Sequence, residues 1–131
     1  MVGEKKVNNK MGFRTLLAYK KGFDLAMEIF HISKTFPKEE KYSLTDQIRR
    51  SSRSVCINIT EAYRKRLYPK HFISKLSDAD SENGETLGWI EFAEACGYIS
   101  TEIKIDLETK NKEIGKLINF MMNNPTKFGS S

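Results

Sequence analysis

The segment that decides the fold is residues 43–66, SLTDQIRRSSRSVCINITEAYRKR. Ser43 followed by Asp46 has the form of a capping box, which predicts that a helix begins at Leu44. On a helical wheel, one arc is apolar with small or polar interruptions: Leu44, Ile48, Ser51, Val55, Asn58, Ile59 and Ala62. The opposite arc holds Arg49, Arg50, Arg53, Ile57 and Arg64. The apolar arc predicts packing into a core, and the arginine arc is the first candidate for function.

Charge is unevenly distributed on either side of Arg66. Residues 44–66 contain six basic and two acidic residues, whereas residues 67–100 contain two basic and six acidic ones. The whole chain carries a formal net charge of +5. A basic helix beside an acidic one is therefore the main electrostatic feature of the sequence.

Composition sets the class of protein. A chain of 131 residues, 39% hydrophobic and 30% charged, is typical of one soluble globular domain. No apolar run approaches the roughly 20 residues that cross a bilayer, and no signal-peptide core is present, so we expect a cytoplasmic protein that does not enter membranes. Cys56 and Cys96 lie in apolar helical context without CxxC spacing, and we interpret them as reduced and structural.

Three further amphipathic patterns predict helices over residues 13–35, 70–96 and 101–123, besides the helix over 44–64. The first ends before Pro37, and its apolar face is expected to contain Leu16, Phe23, Leu25, Ala26, Met27, Ile29, Phe30 and Ile32. Gly97 is expected to end the third helix, and Ser100 to cap the fourth. The sequence thus predicts an all-α, up-down-up-down four-helix bundle over residues 13–124, between a flexible N-terminus (1–12) and a short tail (125–131).

Residues 36–63, FPKEEKYSLTDQIRRSSRSVCINITEAY, resemble the four-helix-bundle proteins encoded in intervening sequences of bacterial 23S rRNA genes. That family's pattern is approximately FP..E.y.L..QiRRA..SipaNIaEG. It is matched here at Phe36, Pro37, Glu40, Leu44, Gln47, Ile48, Arg49, Arg50, Ser54, Asn58, Ile59 and Glu61. The resemblance spans residues 20–122, with departures at Thr60, Ala62, the basic segment 64–66 and, in the third helix, residues 81–85.

The resemblance implies a cyclic homo-oligomer, typically a homopentamer, without known enzymatic activity. One branch of the family resembles accessory proteins of diversity-generating retroelements, which bind nucleic acid and a reverse transcriptase. The partners that it implies are therefore further copies of this chain, RNA or DNA, and a reverse transcriptase or another protein.

Two interpretations of the basic residues remain open. Arg49, Arg50, Arg53, Arg64, Lys65 and Arg66 are candidates for contacting phosphates of nucleic acid. The alternative is that they form a solvated face or pair with carboxylates. Residues of the third helix supply suitable carboxylates, since an acidic stripe with nearby aromatic rings is predicted at Asp78, Glu82, Glu85, Trp89 and Phe92. If a basic face met this stripe on a neighbouring subunit, the heterologous contact could close into a ring with Trp89 at the interface.

Other polar residues are interpreted as structural. Asn58 lies on the apolar arc and is expected to be a buried hydrogen-bonding residue that fixes helix register, with Asn83 serving the same purpose in the third helix. Glu61 lies off that arc. His31 and His71 lack neighbouring metal ligands, and no nucleophile, base and oxyanion donor fall together. We therefore expect no catalytic residues, no metal and no cofactor.

Two function classes follow. The first is an oligomeric bundle that binds RNA or DNA through its basic face. The second is a protein-binding adaptor or assembly scaffold, in which the charged faces serve only ring formation. Nucleic-acid binding should weaken steeply with salt and require the arginine charges, whereas a scaffold should ignore RNA.

Overall fold

The computed structural model describes residue 13 and residues 16–130. This part of the chain has four α-helices and no β-strand, which confirms the all-α class. The helices are α1 (Leu17–Ser33), α2 (Leu44–Arg64), α3 (Pro69–Ala95) and α4 (Thr101–Asn123). Short 3-10 turns lie at Lys38–Glu40 and Pro125–Phe128. The N-terminus predicted to be flexible, residues 1–12, lies outside the described residues.

Each helix packs against two others, so the four surround one core. α1 contacts α2 and α4, and α3 contacts the same two helices. The largest fully buried apolar side chains come from all four helices: Phe72, Ile29, Ile48, Ile59, Leu76, Ile90, Leu107, Ile114 and Ile118. This arrangement is a four-helix bundle. None of the helices in the described part of the chain has the length and apolar composition that a bilayer crossing requires.

The buried face of α1 differs from the predicted one. Phe23 and Met27 are 49% and 39% exposed, so their assignment to the core is wrong. The buried residues are instead Ala18, Gly22, Leu25, Ala26, Ile29 and Ser33. Gly22 gives the physical reason, because a Cβ atom there would lie 3.2 Å from the Cys56 sulfur. α2 approaches closely on this glycine side, and the bulkier side chains of α1 are left facing outward. Leu16 has extended backbone angles, so the helix also begins later than residue 13.

The N-terminus of α2 is capped by Glu40 rather than by Ser43. The Ser43 side chain makes no capping bond and donates to Glu40 Oε1 at 2.6 Å. The backbone N–H of Leu44 donates to the same oxygen at 3.3 Å, and the Tyr98 hydroxyl donates to Glu40 Oε2 at 2.8 Å. The capping box predicted from Ser43 and Asp46 placed the helix start correctly but named the wrong cap.

Replacing Glu40 with glutamine should remove part of the pH dependence of stability. Hydrogen bonds from Ser43, Tyr98 and the Leu44 amide lower the pKa of Glu40 below its usual 4.5. A carboxyl whose pKa is lower in the folded state stabilises the protein above its ordinary pKa, and this stabilisation is lost as the pH falls through the folded value. Urea titrations between pH 3 and 7 should therefore show a shallower acid decline for Glu40→Gln than for a control, Glu39→Gln. Equal declines in the two variants would contradict the assignment.

A glycine in the left-handed region ends α3. Gly97 has φ 77°, its N–H donates to Glu94 O, and the Tyr98 N–H donates to Ala93 O, both at 2.9 Å. This pair of bonds is a Schellman motif, which favours glycine at this position. Gly97→Ala should therefore lower the free energy of unfolding by about 1 kcal/mol, because a Cβ atom disfavours positive φ.

The matched control is Gly84→Ala, within α3. A Cβ atom there would meet nothing within 4 Å, so alanine should stabilise the protein by up to about 1 kcal/mol through helix propensity. Chemical denaturation of both variants measures the two effects. The same sign for both would contradict the different roles assigned to these glycines.

Candidate nucleic-acid interface

Arg49 is held in place by uncharged groups of α1. Its Nε–H donates to Ser33 Oγ at 2.7 Å, and its guanidinium carbon lies 4.9 Å from the centroid of the Phe30 ring. Ser33 in turn donates to the carbonyl oxygen of Phe30 at 3.0 Å. Both partners of the guanidinium are neutral, so a fixed positive charge stays at this half-buried position.

Arg53 lies one turn further along α2, where it is exposed. Its guanidinium carbon is 5.7 Å from the same Phe30 centroid, and the Nζ atom of Lys34 approaches that ring at 4.7 Å. Neither Arg49 nor Arg53 forms an ion pair with any of the described residues. The Phe30 ring thus orients cations by cation–π attraction and leaves them available to an anion.

Arg50 is committed to carboxylates of its own chain. Its Nη2 lies 3.2 Å from Glu82 Oε1 and also donates to Glu85 Oε2. The two carboxylates raise the pKa of Arg50 further. The pKa of Glu85 is lowered, first by the Trp89 indole N–H and also by Arg50. The interpretation that basic residues pair with acids therefore applies to Arg50.

The basic residues at the end of α2 also differ in their contacts. Arg64 and Lys65 are exposed and form no ion pair within the described part of the chain. Arg66 is half-buried: its Nη1 donates to Tyr63 O at 2.9 Å, and its guanidinium lies 4.0 Å from the Tyr63 ring centroid. Arg64 and Lys65 extend the positive outer face of α2, whereas Arg66 also secures the turn that follows.

The acidic stripe of α3 is partly paired with cations of its own subunit. Glu82 and Glu85 bind Arg50, and Lys75 lies 3.9 Å from Asp78 and 2.8 Å from Glu61. The stripe keeps a net negative charge, because its three carboxylates face only two cations, Arg50 and Lys75, so an interface with the basic face of a neighbour stays a prediction.

Trp89, predicted beside the acidic stripe of α3, contacts one of its carboxylates. It is half-buried against the core, and its indole N–H donates to Glu85 Oε2 at 3.1 Å. Phe92, whose ring centroid is 6.0 Å from that of Trp89, is 60% exposed. Whether either residue lies at a subunit interface stays a prediction, and Phe92 has more surface to offer.

A groove of about 620 Å³ runs along the outer face of α2. Its lining includes Lys41, Tyr42, Asp46, Arg49, Arg53 and Ile57. Tyr42 is 83% exposed and Ile57 is 57% exposed, so the groove combines cations with accessible apolar surface. Lys41 and Tyr42 were not among the residues predicted from the sequence. The available signal was an aromatic residue just before the predicted start of a basic helix.

The predicted structural role fits Asn83 and does not fit Asn58. Asn58 is half-buried and donates only to Ser54, to O at 3.0 Å and to Oγ at 3.1 Å, so its bonds remain within α2. The expectation that it fixes register between helices is wrong. Asn83 is buried and donates to Asn111 O at 2.9 Å, while Asn111 donates to Asn83 O at 2.9 Å and to Oδ1 at 3.1 Å. These reciprocal bonds join α3 to α4.

The potential metal ligands of the described residues do not cluster, and the two cysteines differ in their surroundings. Within the described residues, no three potential metal ligands among histidine, cysteine, aspartate and glutamate lie together. Burial raises the pKa of Cys56 to about 12, so this thiol is unreactive near neutral pH. Cys96 is exposed, contrary to the apolar environment expected for it.

The model of the 23S rRNA-intervening sequence protein family matches residues 14–120. The chain belongs to this family. The match includes all of α1, α2 and α3 and most of α4, so the fold and the basic outer face both lie within the family's shared region.

A solved structure agrees with the family assignment. It is the 1.70 Å crystal structure of a protein of unknown function from the S23 ribosomal protein family of Bacteroides thetaiotaomicron. The two chains are 30% identical and superpose with a TM-score of 0.74, covering 82% of this chain and 96% of the other. No curated protein matches this member of the family significantly.

Proposed function

We propose that this family member is a non-enzymatic bundle that binds RNA or DNA through the outer face of α2. The observation that carries the proposal is the set of unpaired cations there. Arg49, Arg53 and Arg64 lie on one side of the helix, and no carboxylate of the described chain neutralises them. Cations placed in a row on a rigid helix match the repeating charge of a phosphate backbone, and each neutralised phosphate releases counterions.

The internal pairing of Arg50 supports this use of the face. Because Glu82 and Glu85 are bound by Arg50, they are not available to the other arginines of their own subunit. The outer face of α2 therefore stays positive, and a polyanion is the partner whose charge complements it.

Assembly into a ring forms part of the proposal. We infer an up-down-up-down bundle that forms a cyclic homo-oligomer in the cytoplasm, a pentamer by resemblance to the family. Phe92, 60% exposed beside Trp89, is the apolar anchor that favours such an interface. A ring would repeat the α2 face in every subunit, so that one long nucleic acid could bind several copies at once.

A second function is favoured by the same exposed phenylalanine. If Phe92 and Trp89 bind another protein, such as a reverse transcriptase, the bundle serves as an adaptor or assembly scaffold. The cations of α2 would then be a solvated face. The two functions differ in their response to nucleic acid and to salt.

Size-exclusion chromatography with light scattering tests the proposal. The full chain is run with and without a structured RNA across a series of salt concentrations. We expect an oligomer that elutes with the RNA at low salt and separates from it at high salt. An oligomer that binds neither the RNA nor a DNA of the same sequence at any salt concentration would overturn nucleic-acid binding in favour of the scaffold, and a monomer would overturn the ring.

A further inference from the structure

The groove on the outer face of α2 has two chemically different parts. Arg49 and Arg53 project from one side of the helix, one turn apart, which corresponds to about 6 Å along its axis. That separation is close to the spacing of successive phosphates on an extended strand. At the N-terminal part lie Lys41, Tyr42 and Asp46. The groove thus offers phosphate sites next to an aromatic ring.

We propose that this groove binds single-stranded nucleic acid, with an unpaired base stacked on Tyr42 and its phosphates at Arg49 and Arg53. The inference rests on the proposed function and specifies the form of nucleic acid that the same face selects.

Tyr42 has the properties of a stacking residue. Its side chain is 83% exposed, and the Nζ atom of Lys41 lies 5.3 Å from its ring centroid. An aromatic ring this accessible gains little from the protein's own core, whereas every base presents a flat face that can stack on it. Within a duplex, the base faces are covered by their neighbours, so Tyr42 would contribute nothing to binding.

The residues at the two ends of the groove, Asp46 and Ile57, also favour a single strand over a duplex. Asp46 is the only carboxylate that lines the groove among the described residues, and because it offsets the charge of Lys41, the Tyr42 end lacks the net positive charge of the Arg49 and Arg53 end. A base carries no net charge and is tolerated there. Ile57, 57% exposed at the other end, offers apolar contact to a second base or a sugar. A continuous double-stranded backbone along the groove would instead place phosphates beside Asp46 and Ile57.

Fluorescence anisotropy with the full chain tests the inference. The probe is a labelled RNA of about 12 nucleotides without self-complementarity, used alone and annealed to its complement. At the same salt concentration, the single strand should bind at least about tenfold more tightly than the duplex. Tyr42→Ala should weaken binding of the single strand by roughly tenfold, and leave duplex binding unchanged, because stacking on one aromatic side chain supplies an effect of this size.

Two substitutions at the same position separate stacking from other effects. Tyr42→Phe retains the ring and should bind like the original protein, whereas Tyr42→Leu retains apolar bulk and should bind like Tyr42→Ala. Phe120→Ala, at an exposed aromatic on α4, should not change the affinity. Circular dichroism verifies that each variant is folded.

The outcomes distinguish this inference from the proposed function. Equal affinity for strand and duplex, or full affinity of Tyr42→Ala for the single strand, would overturn the stacking site while leaving nucleic-acid binding in place. Failure to bind the single strand and the duplex, both as RNA and as DNA of the same sequence, would overturn the proposed function, and the inference with it.

Discussion

Replacing Asn111 with leucine should lower the free energy of unfolding by about 2 kcal/mol, although leucine is more apolar and favours helices. Asn111 is 2% exposed, and its amide donates to both the backbone and the side-chain oxygen of Asn83. Without this donor, Asn83 Oδ1 becomes a buried acceptor with no partner among the described residues. The cost of desolvating such a group without a hydrogen bond is typically about 1–3 kcal/mol.

The matched experiment is a double-mutant cycle with Asn83→Leu. When both amides are replaced, neither side chain leaves the other with an unpaired buried polar atom. The double variant should therefore regain much of the stability lost by Asn111→Leu. Urea titrations of the two single variants and of the double variant give the coupling energy. Additive losses would show that the two residues act independently and would contradict the paired arrangement.

Replacing Arg49 and Arg53 together with glutamine should weaken binding of single-stranded RNA by roughly 25-fold at 0.1 M salt. Each phosphate contact on a single strand contributes about 0.7 to the salt slope, which corresponds to roughly a fivefold change in affinity at that concentration. The affinity of the double variant should also depend less steeply on salt concentration, because two phosphate contacts are lost. Fluorescence anisotropy with the labelled RNA measures both effects.

The matched control removes two charges from another helix. Lys112 and Lys116 are exposed on α4, a helix whose neighbours are α1 and α3 rather than α2. Lys112→Gln/Lys116→Gln should bind RNA with nearly unchanged affinity. Equal losses in the two double variants would indicate attraction to net charge alone and would contradict a site on α2. Because Arg49 is half-buried and donates to Ser33, the single variant Arg53→Gln, at an exposed position, guards against an effect of misfolding.

The fold could be predicted well where local signals act in the same direction. Pro69 lies in the first turn of α3, Gly97 follows its C-cap, and the Ser100 hydroxyl accepts a bond from the Ile103 N–H at the start of α4. The face of α1 could not be predicted, because its apolar residues cover more than one side. The close approach of α2 at Gly22 decided which side is buried.

The candidate site was only partly predictable for a related reason. Periodicity places Arg50 and Arg53 on one arc, but it does not show which of them meets a carboxylate. The partners of Arg50 lie 32 and 35 residues further along the chain, on α3. The pairing of Asn83 with Asn111 likewise depends on how α3 and α4 are aligned. Contacts between helices therefore divide a uniform basic stripe into a paired arginine and unpaired ones.

The central claim is that unpaired cations on the outer face of α2 bind a phosphate backbone, and the salt dependence of affinity tests it most directly. The dissociation constant of the labelled single-stranded RNA is measured by anisotropy at several salt concentrations, for the original protein and for Arg53→Gln. Contacts to three phosphates predict a slope of at least about 2 in a plot of log Kd against log salt, falling by about 0.7 in the variant. Affinity independent of salt, or the same slope for both proteins, would contradict the claim.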